Sequence, residues 1–416
     1  MPTDLVLQNA RLIDGTGADA RPGQQIRIRD GKIAAIERTG ADVPAMSRII
    51  DLAGATVLPG LIDCHVHVSM DPTADLGGQL RHGTPALSTL VALKQAHRTL
   101  LAGFTTVRDA GNFFGVSIDL GRAVDEGLVV GPSVFAAGHF LSITGGHGDM
   151  QTPFPVDMYT VDTPGVVDGP DEMRKAVRRE LRRGAKAIKL MATGGVLSMN
   201  DSPKSRGFTE EEMRVACEEA HNVDVPVLAH AQGAEGIKNA IRAGVDSIDH
   251  GIYLDDEGID MMLERGVALV PTLIAPKQII RNAGHPAVPP WALEKSIAAS
   301  SDHFANVGKA IARGVTVAFG TDAGTPFNMH GENALEFGFL VEAGMTPMGA
   351  IQAATANAAR LIRSQAGVLA EGRPADLIVV DGDPSKDIAH LSKPGAARIV
   401  VKSGRIVKNG RTTHLQ

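Results

Sequence analysis

The chain has 416 residues, 44% of them hydrophobic and 21% charged, with a formal charge of −6 and a pI near 6.2. That balance is ordinary for a globular protein and excludes a nucleic-acid binder, which needs a basic patch. No apolar run of about 18 residues is present to span a membrane, and Cys64 and Cys217 are too few for a disulfide framework.

The first residues, "MPTDLVLQNARLIDGTG", lack a basic start and a long apolar core, so no signal peptide is expected and a cytoplasmic location is. "DLVLQNARLID", "QQIRIRDGKIAAIE" and "SRIIDLAGATVLP" read as strands, with hairpin turns at Asp14-Gly15 and Asp30-Gly31. From about residue 59 to 365 strands alternate with helices. The strand candidates are "GLIDCHVHV", "TTVRDAG", "PSVFAAG", "AIKLMATGG", "VPVLAHA", "VDSIDHG", "VALVPTL" and "VTVAFGTD". Thr209 and Glu212 make a capping box at one helix start, and the glycines of "RAG", "ERG" and "ARG" stand where helix C-caps need them. The chain then returns to strands, "ADLIVVDGDP" and "ARIVVKSGRIVKNGR", with turns at Asp381-Gly382, Ser403-Gly404 and Asn409-Gly410. The expected fold is α/β: a (β/α)8 TIM barrel over 59–365, with residues 1–58 and 366–416 pairing into one small β-sandwich. No G-x-G-x-x-G follows an early strand, which disfavours a dinucleotide fold.

Active-site groups of such a barrel sit at the C-terminal ends of its strands. His65 and His67 share one face of the first strand, since positions two apart point together, and paired imidazoles suit a metal ion. The other strand ends supply Lys189, His230, His250 and Asp322. Each has a plainer reading: a hydrogen-bonded core histidine, a helix cap, an N-cap. Those readings would all have to coincide at one barrel face. Lys189 stays open between two. Buried and neutral, it can add carbon dioxide to become a carbamate that bridges two cations; otherwise it pairs with a carboxylate.

"PGLIDCHVHV", "TTVRDAG", the strand lysine, "HA", "DHG", "GTDAG" and "PADLIVVDGDP" together resemble the metal-dependent amidohydrolase superfamily along essentially the whole chain. The nearest branch is that of imidazolonepropionase-related peptidases and amidases. The resemblance implies two divalent ions, zinc foremost: His65, His67 and Asp322 on one, His230 and His250 on the other, with carboxylated Lys189 between. It also implies that Asp322 acts as general base and then acid on a water. The implied substrates are small-molecule amides: N-acyl amino acids or dipeptides, cleaved as a carboxypeptidase or dipeptidase does, with ochratoxin A amide hydrolysis included. A cyclic-amide hydrolase or deaminase acting on a nitrogen heterocycle is the alternative, against which a bridging lysine speaks. A non-enzymatic metal-binding scaffold would need a damaged ligand set, and all six positions are filled.

Three further residues are assigned to substrate. His147 in "TGGHGD" lies in a loop that faces the substrate in this branch, and Tyr253 offers a hydroxyl. Gln232 stands where relatives often carry His or Tyr two residues after the fifth-strand ligand. Arg108 and Asp109 are expected to pair structurally, and Cys64 to face the core. Neither nucleic acid nor membrane is an expected partner, while barrels of this kind commonly form homo-oligomers.

Overall fold

The computed structural model describes residues 4–73, 75, 78–79, 82–149, 165–199 and 201–415. Five strands come first: β1 (Leu5–Leu12), β2 (Arg21–Arg29), β3 (Lys32–Arg38), β4 (Arg48–Asp51) and β5 (Thr56–Pro59). The barrel strands are β6 (Leu61–Val66), β7 (Phe104–Asp109), β8 (Ser133–Ala136), β9 (Phe140–Leu141), β10 (Ile188–Met191), β11 (Val227–Ala231), β12 (Ser247–His250) and β13 (Ala268–Val270). The chain ends with β14 (Leu377–Val380), β15 (Ile399–Lys402), β16 (Arg405–Asn409) and β17 (Thr412–Thr413).

Both ends of the chain form one nine-stranded sheet in the order β17-β16-β15-β14-β5-β1-β2-β3, with β4 beside β1. The antiparallel pair β5–β14, Leu377 opposite Pro59, joins the N-terminal to the C-terminal segment. Alternation decides which way each side chain faces. Val57, Leu377, Val379 and Val401 fill the sheet's own core. Their neighbours Leu58, Ile378, Val380 and Val400 are packed into the core of the barrel. The sheet is thereby fixed to the barrel through its central strands.

Two of the expected tight turns are present. Asp30 and Gly31 (φ 49° and 77°), and Ser403 and Gly404 (φ 49° and 75°), take the paired left-handed conformations that a two-residue hairpin requires. Two are not. Asp14-Gly15 lies in a longer connection between β1 and β2, and Asp381-Gly382 starts the 18-residue path from β14 to β15. An Asp-Gly pair marks a turn, but it does not set how far away the partner strand begins.

The barrel strands run parallel as β6-β7-β8 and β9-β10-β11-β12-β13. The third strand is broken at Gly138 (φ 75°) into β8 and β9, and Lys186 N bridges the break to Ala136 O at 2.8 Å. "VTVAFGTD" is not a regular strand. It still closes the barrel, because Ala318 N donates to Leu269 O (2.9 Å) and Cys64 N to Phe319 O (2.7 Å). Further along, Asp322 N donates to His65 O (2.7 Å), and Thr321 N is shared between His65 O (3.3 Å) and the Asp63 carboxylate (3.1 Å). The capping box forms, with Thr209 N to Glu212 Oε2 at 2.7 Å and Glu212 N to Thr209 Oγ1 at 3.3 Å. Gly244 and Gly266 cap their helices in the left-handed conformation. Among the described residues no helix is long and apolar enough to cross a membrane.

Candidate active site

The period of β6 carries His65 and His67 to the barrel mouth, where both Nε2 atoms face Asp322 Oδ1, at 3.4 and 3.2 Å. Cys64 points the other way, into an apolar cluster with Ala318, Ala358 and Ile362. The ring of His250 lies 4.9 Å from that of His65 and 4.7 Å from that of His230, centroid to centroid. Lys189 is buried at the same place, its Nζ 3.9 Å from Asp249 Oδ2. All six expected ligand side chains line one cavity of about 160 Å³.

Strand alternation alone would not bring them together. Asp249 and His250 are consecutive, yet both reach the interior, because His250 ends β12 with φ at 74°. Asp322 is turned the same way, with φ at 63°. Non-glycine residues held in this conformation cost about 1–3 kcal/mol and concentrate at functional sites.

The donor chemistry suits a metal cation. His65 Nδ1 is 2.7 Å from Asp249 Oδ2, His67 Nδ1 is 2.7 Å from Gly111 O, and His250 Nδ1 is 2.7 Å from Thr272 Oγ1. His230 uses its other nitrogen, Nε2, on Gly194 O at 3.0 Å. A carbonyl can only accept, so His67 Nδ1 and His230 Nε2 donate there, which directs His67 Nε2 and His230 Nδ1 toward a ligand. Burial holds His230 and His250 well below the ordinary histidine range, in the neutral form a metal needs. Burial opposes the charge of Asp322, but hydrogen bonds from His65 and His67 hold its carboxyl well below the usual range. A cation bound between these groups would replace the Nε2 protons through which His65 and His67 bond Asp322. Donor atoms of His65, His250 and Asp322 lie within 4.8 Å of one another, a trio that spans both expected ligand groups. Burial pulls Lys189 down to about 8, against the attraction of Asp249 and Asp322, so its neutral amine is within reach near neutral pH.

The profile of the Amidohydrolase family matches residues 56–407. The chain belongs to the amidohydrolase family. It is 36% identical over 423 residues to an ochratoxinase of Aspergillus niger, covering 95% of this chain and 85% of that protein. A crystal structure of a Xaa-Pro dipeptidase with bound methionine superposes with a TM-score of 0.91 at 36% identity, covering 98% of this chain and 100% of the other. A prolidase complexed with N-methylphosphonate-L-proline gives a TM-score of 0.90 at 34% identity, over 98% and 100% of the two chains.

Of the residues assigned to substrate, His147 and Gln232 line the cavity of this family member, and Gln232 Oε1 is buried there without a hydrogen-bond partner among the described residues. Tyr253 does not line it. Its ring packs with Val196 and Ile252 and lies under the Lys204 ammonium at 4.5 Å. Arg108 and Asp109 do not pair with each other, since neighbours on one strand point to opposite faces. Arg108 Nη2 lies 3.2 Å from both oxygens of Asp249, and its Nε donates to Cys64 O at 2.6 Å. Asp109 instead accepts from Val68 N at 2.8 Å.

Sequence reasoning missed Asp249, which orients His65 and neutralises Arg108. The signal was available: Asp249 shares the inward face of β12 with Ser247, which also bonds Arg108. It missed Asp63 as well, whose carboxyl burial pushes up to about 6 and which ties Thr321 Oγ1 (2.6 Å) and Asn333 Nδ2 (2.8 Å) beneath the site.

Proposed function

We propose that the protein is a binuclear, zinc-dependent hydrolase of amide bonds that releases the amino acid from N-acyl amino acids or dipeptides, ochratoxin A among the candidate substrates. The observation that carries this reading is the cluster of four imidazoles, Lys189 and Asp322 on a cavity with two apolar walls. One wall is built from Met70, Phe140 and Met191 with Phe113, the other from Val196, Ile252 and Ile279 with Leu197. A scissile amide held over the cluster would lay an apolar group against each wall. The ochratoxinase and dipeptidase relatives point to the same bond class.

His65, His67 and Asp322 would hold one ion, His230 and His250 the other, and Lys189 both, after its neutral amine adds carbon dioxide and releases a proton as the carbamate forms. Bound there, the ions supply Lewis acidity toward a carbonyl oxygen and make a water nucleophilic at neutral pH. Asp322, which lines the cavity, takes a proton from the attacking water and delivers it to the departing amine nitrogen. The apolar walls orient the two halves of the substrate and exclude bulk water. His147 meets the carbonyl oxygen or the substrate carboxylate.

Metal quantification followed by a screen of N-acyl amino acids, Xaa-Pro dipeptides and ochratoxin A tests the reading. Two equivalents of metal and release of a free amino acid are expected. One equivalent with ammonia as product would instead support a deaminase. Asp322→Asn should lower kcat by about 10²–10⁴-fold, and full turnover in a metal-loaded variant would remove Asp322 from this role.

A further inference from the structure

Val196, Leu197, Ser198 and Asp201, which follow β10, line the cavity, and the group that holds them comes from far along the chain. In the helix Pro290–Ala312, Trp291, Lys295, Ala299 and His303 recur every four residues and so share one face. Lys295 Nζ donates to three carbonyls, those of Gly195 (3.1 Å), Ser198 (2.6 Å) and Asp201 (2.5 Å). An ammonium has three protons, so this set saturates it. Trp291 Nε1 donates to Leu197 O at 3.2 Å, and His303 Nε2 meets His250 O at 2.9 Å. One helix face therefore secures both this stretch and the end of β12.

The secured stretch builds a slot for His147. Ser198 Oγ gives its proton to Asp201 Oδ1, so it accepts from His147 Nδ1 at 2.8 Å. Asp201 Oδ2 lies 3.7 Å from the same nitrogen. The His147 ring stacks on that of His230, centroids 4.3 Å apart and 19° between planes. Gly195 abuts it so closely that a Cβ there would lie 2.1 Å from His147 Cε1.

We infer that Lys295 is a positioning residue of the active site: by clamping three carbonyls after β10 it fixes Ser198 and Asp201, and through them His147 against His230. The catalytic consequence rests on the amide-hydrolase reading; the clamp itself does not.

The full-length, metal-loaded protein tests both parts, because Trp291 is the chain's single tryptophan and reports the clamp without any substrate. Lys295→Met should move Trp291 emission to longer wavelength while far-UV circular dichroism and metal content stay as in the wild type. On an N-acyl amino acid that the wild type cleaves, it should lower kcat/KM about 10- to 100-fold, the scale of a misplaced active-site group. In a His147→Gln background the same substitution should cost less than about threefold, since groups acting as one unit are not additive. An unmoved emission maximum, or a full-size loss in the His147→Gln background, overturns the assignment. If the wild type cleaves no amide, the hydrolase reading fails while the emission shift still decides the clamp. Should Lys295→Met not fold, Lys295→Gln, whose amide has only two protons for the three carbonyls, is read in the same emission and kinetic assays. A loss that is non-additive with His147→Gln supports the assignment, and an additive one overturns it.

Discussion

At the scale of single residues, the site depends on a buried carboxylate that is not itself among the expected ligands. Asp249 balances Arg108 inside the barrel and orients His65 through Nδ1. Replacing it by asparagine keeps the shape but leaves a buried guanidinium uncompensated, which costs about 3–5 kcal/mol. The same change loosens His65, and loss of such a partner weakens metal affinity about 10- to 100-fold. Denaturant unfolding and a metal-competition titration on Asp249→Asn should show both effects. Wild-type stability in that variant would mean Arg108 finds another counter-charge. The histidines, by contrast, were legible individually: each ends a strand pattern, and period-two alternation says which way His65 and His67 point.

At the scale of elements, helix ends position the cavity walls. Glu336 accepts hydrogen bonds from Leu273 N (2.9 Å) and Ile274 N (2.8 Å), at the start of the helix Ile274–Arg281, whose Ala275, Pro276 and Ile279 line the cavity. Burial raises its carboxyl well above the usual 4.5 despite those bonds. A carboxyl raised in the folded state contributes full stability below its unfolded value, and that contribution is lost as pH rises through the folded one. Glu336→Gln should therefore flatten the alkaline side of the stability–pH curve, leaving the variant less sensitive than the wild type above pH 4.5. Parallel curves from thermal melts across pH would refute this. The capping box and the glycine C-caps were readable because a local hydrogen-bond pattern settles them. The irregularity of the eighth strand was not, because Phe319 N donates to Ala353 O and Thr321 N is shared with the Asp63 carboxylate, partners that only the tertiary fold brings to it.

At the scale of the whole molecule, the six proposed ligands come from five segments of one barrel, so removing the proposed ions should loosen the fold as well as stop the chemistry. Chelation is expected to lower the melting temperature by about 5 °C or more, since a ligand at a thousand times its Kd stabilises by about 4 kcal/mol. Reloading with zinc in carbon dioxide-depleted buffer should restore less than reloading with bicarbonate present, if Lys189 is carboxylated. Equal recovery in calorimetry would count against the carbamate. Strand periods, turn residues and the order of motifs were enough to specify an α/β barrel flanked by β-rich ends and to nominate six candidate ligands, because strands and their ends are marked by alternation and local hydrogen bonding. Only the tertiary structure decided that Arg108 answers to Asp249, that Tyr253 stands off the cavity and that Lys295 secures the loop around His147. Those contacts join residues distant in sequence, and their partners are chosen by packing and backbone twists such as the left-handed turn at His250.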